Sequence, residues 1–171
     1  DTMTARNLSL ARAAHARVHI AHVSTEGSIG AVREAKELAR DGSFAVTCEV
    51  TPHHLSLTDS LSEIVNPPLR GEADREFLIA GLLDGTVDAI ATDHAPHTAE
   101  DKAAGAPGFS GIQIAFATVN TALAKTGLVS LKKISALMSA NPASILGLKR
   151  GLLRAGFDAD LVLVDPDAAF T

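Results

Sequence analysis

The chain has 171 residues, 46% hydrophobic and 20% charged, enough apolar side chain for the core of one ordinary globular domain. Its formal net charge is −5, its basic residues are scattered and it has no Trp or Tyr to stack on bases, which argues against a nucleic-acid partner. No apolar run reaches the roughly 20 residues that span a bilayer, and no basic-then-apolar leader opens the chain, so a cytoplasmic protein without membrane contact is expected.

Residues 1–15 (DTMTARNLSLARAAH) have helical spacing of apolar side chains with no strand before them, as though the sequence opened in mid-domain. Residues 17–23 (RVHIAHV), β-branched and apolar, predict a strand. Residues 24–42 then predict a helix with a Ser/Thr start and a Gly stop. A second strand is expected at 44–52 (FAVTCEVTP), then a long polar connection through 66–70 (NPPLR), then a helix over 72–85 that ends at Gly85. The third strand, 87–97 (VDAIATDHAPH), leads into a long loop over 98–111 and a helix over 112–127. Cys48 has no partner for an internal disulfide and sits among apolar neighbours, so it reads as a small core residue in a reducing compartment. Strands alternating with helices predict an α/β fold with parallel pairing and right-handed crossovers, either a doubly wound sheet or part of a (β/α) barrel. Both architectures meet ligands at the C-terminal ends of their strands.

The polar residues of interest fall at those ends: His22 after the first strand, Thr51 to His54 after the second, Asp93 to His97 after the third. Any one of them alone reads as a helix cap or a satisfied loop residue. Three successive units delivering His or Asp to one sheet edge point instead to a convergent site. Imidazole nitrogen with carboxylate oxygen suits Zn²⁺ or a similar ion, and a metal that activates water beside a carboxylate able to move its proton implies a hydrolase. Asp93 is the carboxylate placed for that work. Glu49, within the second strand, is open between pairing inside a barrel and a part in the site.

The segments HIAHVST, CEVTPHHLSLTD, NPPLR and above all ATDHAPHTAEDK together resemble the dihydroorotases, members of the amidohydrolase superfamily. The Asp-His-Ala-Pro-His run followed by Lys102 is specific, and the other segments occur in the family's order across nearly the whole chain. The resemblance implies the last three strand-helix units of a (β/α)8 TIM-type barrel over residues 1–150. It further implies the start of a small accessory β-sandwich over 151–171, with 156–165 (GFDADLVLVD) as a strand pair. By the same resemblance His22 is a zinc ligand, and Asp93 is both a zinc ligand and the general base and acid. His97 and Asn66 bind the substrate, His97 at its carboxylate, and the backbone of Pro107 and Gly108 touches it. His53, His54 and His94 take no assigned role, and His19 lacks the context of a ligand.

The implied reaction is reversible hydrolysis of the cyclic amide of (S)-dihydroorotate to N-carbamoyl-L-aspartate in de novo pyrimidine biosynthesis. The cofactor is Zn²⁺, binuclear in the intact enzyme; the implied partners are this small-molecule substrate, further copies in a homo-oligomer, and aspartate carbamoyltransferase. The chain departs from the family where Gly111-Ile112-Gln113 replaces the usual Gly-Leu-Glu. It also lacks the superfamily's His-X-His metal pair, its substrate Arg, the bridging Lys or Asp and a further His before His22. It therefore reads as a C-terminal fragment that is inactive alone and binds zinc weakly. Three other readings stay open: a hydantoinase or allantoinase, a non-catalytic dihydroorotase-like subunit that scaffolds a partner enzyme, and a plain α/β binding module.

Overall fold

The computed structural model describes residues 1–169. Its centre is a parallel sheet of β1 (Arg17–Ile20), β2 (Ala45–Val50) and β3 (Ala89–Ile90), in the order β1-β2-β3. Val18 pairs with Val46 and Ile20 with Cys48, while Glu49 pairs with Ala89 and Val50 with Ile90. α1 (Thr2–Ala13) precedes the sheet, and α2 (Glu26–Leu38) crosses from β1 to β2. α3 (Pro52–Ser56) and α4 (Glu72–Asp84) lie between β2 and β3. This is the expected α/β arrangement.

Alternation along β2 divides the sheet's faces. Val46, Cys48 and Val50 are buried in one cluster with Ile29 and Val32 of α2 and Leu78 and Leu82 of α4. Each fully buried aliphatic side chain of this kind contributes about 1.5–3 kcal/mol, so this face is what holds the unit together. Thr47 and Glu49 alternate with them and are less buried. Burial pushes the Cys48 thiol up to about 12, and its N–H donates to Asp88 Oδ2 at 2.8 Å, so Cys48 is the inert core residue expected. Gly81 lets α4 lie close to the core, because a Cβ there would meet Val87 Cγ2 at 3.1 Å and Ile29 Cδ1 at 3.3 Å.

Local chemistry sets the helix ends. Thr25 Oγ1 accepts from Ser28 N at 3.2 Å and caps α2, which runs into a 3₁₀ turn (Ala39–Asp41). α4 stops at Gly85, as predicted. Two short helices lie where only connections were expected. α3 is set by Thr51 as cap and Pro52 in the first turn, and α5 (Ala99–Ala103) by a capping box between Thr98 and Asp101. The helix expected over 112–127 begins later, as α6 (Ala115–Val119), and continues as a π-helical turn over Asn120–Ala124. α7 (Leu131–Ser135), a second π-helical turn and α8 (Asn141–Ile145) complete the helices.

The strands at 17–23 and 87–97 are shorter than the sequence suggested, ending at Ile20 and Ile90, and just beyond those ends His22 (φ 53°) and Asp93 (φ 48°) adopt left-handed backbone that no strand continues through. The predicted strand pair at 156–165 differs more: among the described residues it carries no strand. Leu161, Val162 and Leu163 are 70%, 86% and 101% exposed, and an extended segment without a neighbouring backbone makes no ladder. Of the accessory segment expected at 151–171, residues 170 and 171 lie outside the described residues. No helix among the described residues is long and apolar enough to cross a membrane.

Candidate metal centre and active site

β1 and β3 flank β2, so the residues that follow their C-terminal ends face one another across it. His22 Nε2 lies 3.4 Å from Asp93 Oδ1. Both residues leave their strands with positive φ, a conformation costing about 1–3 kcal/mol that persists only where its surroundings impose it. The pairing fits a metal. Two ligands bonded at 2.0–2.1 Å to one tetrahedral ion stand about 3.3–3.4 Å apart, which is the separation found here. Among the described residues, however, no group of three or more His, Cys, Asp or Glu forms a complete metal cage. What the chain brings together at this sheet edge is the His22–Asp93 pair.

Behind His22 lies a chain of polar contacts. Glu49 Oε1 is 3.0 Å from His22 Nδ1, and Glu49 Oε2 is 3.2 Å from His19 Nε2; His19 Nδ1 in turn meets Thr47 Oγ1 at 2.8 Å. The approach at His22 Nδ1 is too bent for a good hydrogen bond, so attraction there is mainly electrostatic. The Glu49 carboxylate raises the His22 pKa, burial opposes it, and Asp93 adds to the rise. Burial pushes the Glu49 carboxyl up, but His22 and His19 outweigh it and hold it below the ordinary carboxylate value. A carboxylate at Nδ1 favours the tautomer with its proton there, which leaves Nε2 free toward Asp93. Glu49, undecided from sequence, thus lies between His19 and His22, next to the His22–Asp93 pair.

Thr51 to His54 form the wall next to this pair. His53 is 7% exposed, and burial, with His54 and His22 nearby, pushes its imidazole down to about 4, so it is neutral at physiological pH. Its Nε2 is buried without a partner, and its ring meets Phe109 edge-on at 5.3 Å between centroids. His54 is fully used. Thr51 Oγ1 lies 2.8 Å from Nδ1 and the Pro67 carbonyl 3.0 Å from Nε2, so a neutral ring with its proton on Nε2 donates to Pro67 and accepts from Thr51. Burial lowers the His54 pKa, partly offset by the Pro67 and Pro68 carbonyls.

The remaining predicted site residues lie on two adjoining loops. His97 is exposed, and its Nε2 lies 3.0 Å from the Pro107 carbonyl. Gly108 (φ 140°) packs so closely that a Cβ would fall 2.6 Å from Ala95 Cβ and 3.4 Å from His97 Cδ2. Asn66 is exposed, two residues beyond Ile64, whose carbonyl accepts from Gly108 N at 2.9 Å. His94 Nδ1 accepts from Ile112 N at 3.3 Å, and its backbone bridges to Phe109, which makes it a loop anchor. His22 and Asp93 therefore form one pair, and Asn66, His97, Pro107 and Gly108 a second group on the loops beside it.

Residues 5–171 match the model of the amidohydrolase family. The chain is 49% identical over 181 aligned residues to the dihydroorotase of Caldanaerobacter subterraneus subsp. tengcongensis, an alignment covering 100% of this chain and 41% of that protein. It is 45% identical to the dihydroorotase of Clostridium botulinum, covering 98% of this chain and 41% of that one. The chain thus spans well under half the length of these relatives. Among solved structures, the L-hydantoinase (dihydropyrimidinase) from Arthrobacter aurescens superposes with a TM-score of 0.84 at 27% identity, covering 91% of this chain and 37% of that one. The dihydropyrimidinase from Brevibacillus agri gives 0.83 at 23% identity over 91% of this chain and 37% of that one, a likeness of fold alone. Amidohydrolases and dihydroorotases are generally metal-dependent, in keeping with the His22–Asp93 pair. The family match leaves out only the first four residues, and with that breadth of agreement this chain belongs to the amidohydrolase family.

Proposed function

We propose that this chain supplies the C-terminal units of a dihydroorotase, which reversibly hydrolyses the cyclic amide of (S)-dihydroorotate to N-carbamoyl-L-aspartate. The observation that carries this reading is agreement along the whole chain, at 49% identity, with a protein named dihydroorotase. Residues 1–150 would form the C-terminal part of a (β/α)8 barrel, and 151–171 the start of an accessory β-sandwich. His22 Nε2 and Asp93 Oδ1 would hold zinc, the remaining ligands of a binuclear site coming from the rest of the barrel. Bound there, zinc would supply Lewis acidity at the ring carbonyl and lower the pKa of the attacking water.

The chain's own residues do the rest. Asp93 takes the proton from the attacking water as its oxygen adds to the ring carbonyl. As the C–N bond breaks, Asp93 delivers that proton to the departing ring nitrogen. Synthesis of the ring runs the same transfers backward. His97 donates to the substrate carboxylate, Asn66 adds a neutral donor on the same wall, and the backbone of Pro107 and Gly108 lines the ring. Glu49 holds the His22 ring in place. The enzyme works in the cytoplasm as a homo-oligomer, with aspartate carbamoyltransferase as its protein partner.

The superposition on an L-hydantoinase favours a second reading, a cyclic amidase for uncharged rings. Assaying the intact zinc-loaded enzyme with dihydroorotate, hydantoin and dihydrouracil separates the two. Dihydroorotate is expected to have the highest kcat/KM, and a preference for hydantoin would overturn the dihydroorotase reading.

A further inference from the structure

Lys102 follows the Asp93–His97 segment by one turn of α5, and neither the metal pair nor the substrate contacts make use of it. Its ammonium carries three protons, and three backbone carbonyls surround it: Ile64 O at 3.2 Å, Ala106 O at 3.3 Å and Gly108 O at 3.1 Å. Every donor is therefore occupied within the protein. The charge is balanced by Glu63, whose Oε2 lies 3.7 Å away, and the ammonium sits 5.7 Å from the centre of the Phe109 ring. The side chain is 30% exposed, so these contacts are partly shielded from water.

The carbonyls come from two separate loops. Ile64 stands two residues before Asn66, and Ala106 and Gly108 bracket Pro107, whose own carbonyl meets His97. Gly108 N also donates to Ile64 O at 2.9 Å, so the ammonium reinforces a junction that a single backbone hydrogen bond would otherwise hold. The root of Lys102 is fixed as well. Thr98 Oγ1 accepts from Asp101 N at 3.1 Å while Asp101 Oδ2 accepts from Thr98 N at 3.2 Å, which locks the turn between His97 and Lys102.

We propose that Lys102 is a positioning residue that fastens the loop bearing Asn66 to the loop bearing Pro107 and Gly108, so that both present one rigid wall to the substrate. It does not bind the substrate carboxylate itself, because no proton is left to donate. The proposal rests on the dihydroorotase reading for its kinetic consequence, though not for the junction itself.

Two measurements on Lys102→Met in the intact zinc-loaded enzyme test it. The first is amide hydrogen exchange: Gly108 N and its neighbours over 104–109 should exchange at least about tenfold faster than in wild type, with β2 unchanged. The second is kinetic: KM for dihydroorotate should rise about tenfold to a hundredfold with unchanged zinc content and a smaller fall in kcat, since displaced walls cost binding first. Lys102→Arg keeps the charge but offers a planar fork in place of three convergent donors, and should recover part of both effects. Unchanged exchange at Gly108 in Lys102→Met would overturn the proposal, as would faster exchange with KM unaltered. Where Lys102→Met does not fold, Lys102→Arg carries the same two measurements, and wild-type values in both would overturn it. A wild-type enzyme without activity on dihydroorotate would defeat the functional reading alone, leaving exchange to decide the junction.

Discussion

Replacing Glu49 with Gln removes the negative charge that faces both His19 and His22 while preserving the shape of the side chain. Its oxygens lie 3.0 Å from His22 Nδ1 and 3.2 Å from His19 Nε2, and only 14% of the Glu49 side chain is exposed, so water screens the contacts poorly. A carboxylate behind a metal-binding imidazole fixes the ring and its tautomer, and its loss lowers metal affinity roughly 10–100-fold, or about 1.4–2.7 kcal/mol. The bent approach at Nδ1 places the expected loss near the lower end, about tenfold. Should the new amide turn its NH₂ toward Nδ1, the ring proton would move to Nε2 and block the nitrogen that faces Asp93, deepening the loss. The assay is a zinc titration of the chelator-stripped intact enzyme in competition with a chromophoric chelator, so the readout does not depend on turnover. His22→Ala in the same titration sets the scale for losing a ligand outright. Zinc affinity within about twofold of wild type in Glu49→Gln would refute the supporting role assigned to Glu49.

Asp93→Asn in the intact enzyme should abolish turnover by several orders of magnitude, since an amide cannot carry the proton and is a poorer ligand; kcat at saturating zinc checks this, and a loss under about tenfold would place the base elsewhere. His97→Ala should cost dihydroorotate roughly 1.5–3 kcal/mol in kcat/KM while sparing uncharged dihydrouracil, because only the carboxylate makes the charge-assisted hydrogen bond. Equal losses on both substrates would reduce His97 to a loop contact of Pro107. The His53 pKa is depressed from 6.5 to about 4, mainly by burial, so as pH falls the unfolded chain takes up that proton first. Its contribution to stability is complete above the unfolded value and is lost as pH drops from 6.5 toward about 4, by up to about 3 kcal/mol. Urea unfolding at several pH values across that window, compared with His53→Phe, should show the slope in wild type and its reduction in the variant.

The parallel sheet was legible because β1 and β2 carry β-branched, alternating residues and because Thr25, Gly42 and Gly85 mark helix ends by the chemistry of caps and left-handed turns. The five-residue helices α3 and α5 were not, since one turn is too short for a hydrophobic period to register. Their caps were nevertheless written in the sequence, as Thr51-Pro52 and as Thr98 with Asp101. His22 and Asp93 could be picked out as residues beyond strand ends, yet the left-handed backbone each adopts leaves no trace in hydrophobicity. Alternation could turn Glu49 away from the core, but its placement between His19 and His22 depends on the register of β1 against β2, a non-local property. The apolar run 161–164 reads as a strand in any local window, and only the presence or absence of a neighbouring backbone decides the matter.

The left-handed backbone at positions 22 and 93 restricts which amino acids can ever occupy them. Glu and Cys can bind zinc as His and Asp do, but His and Asp, with Asn, are the non-glycine residues that enter left-handed geometry most readily. Exchange of Asp93 for Glu would therefore meet two obstacles, a carboxylate set about one bond too far out and a residue that resists the turn carrying it. Glycine would relax the same backbone and discard the ligand.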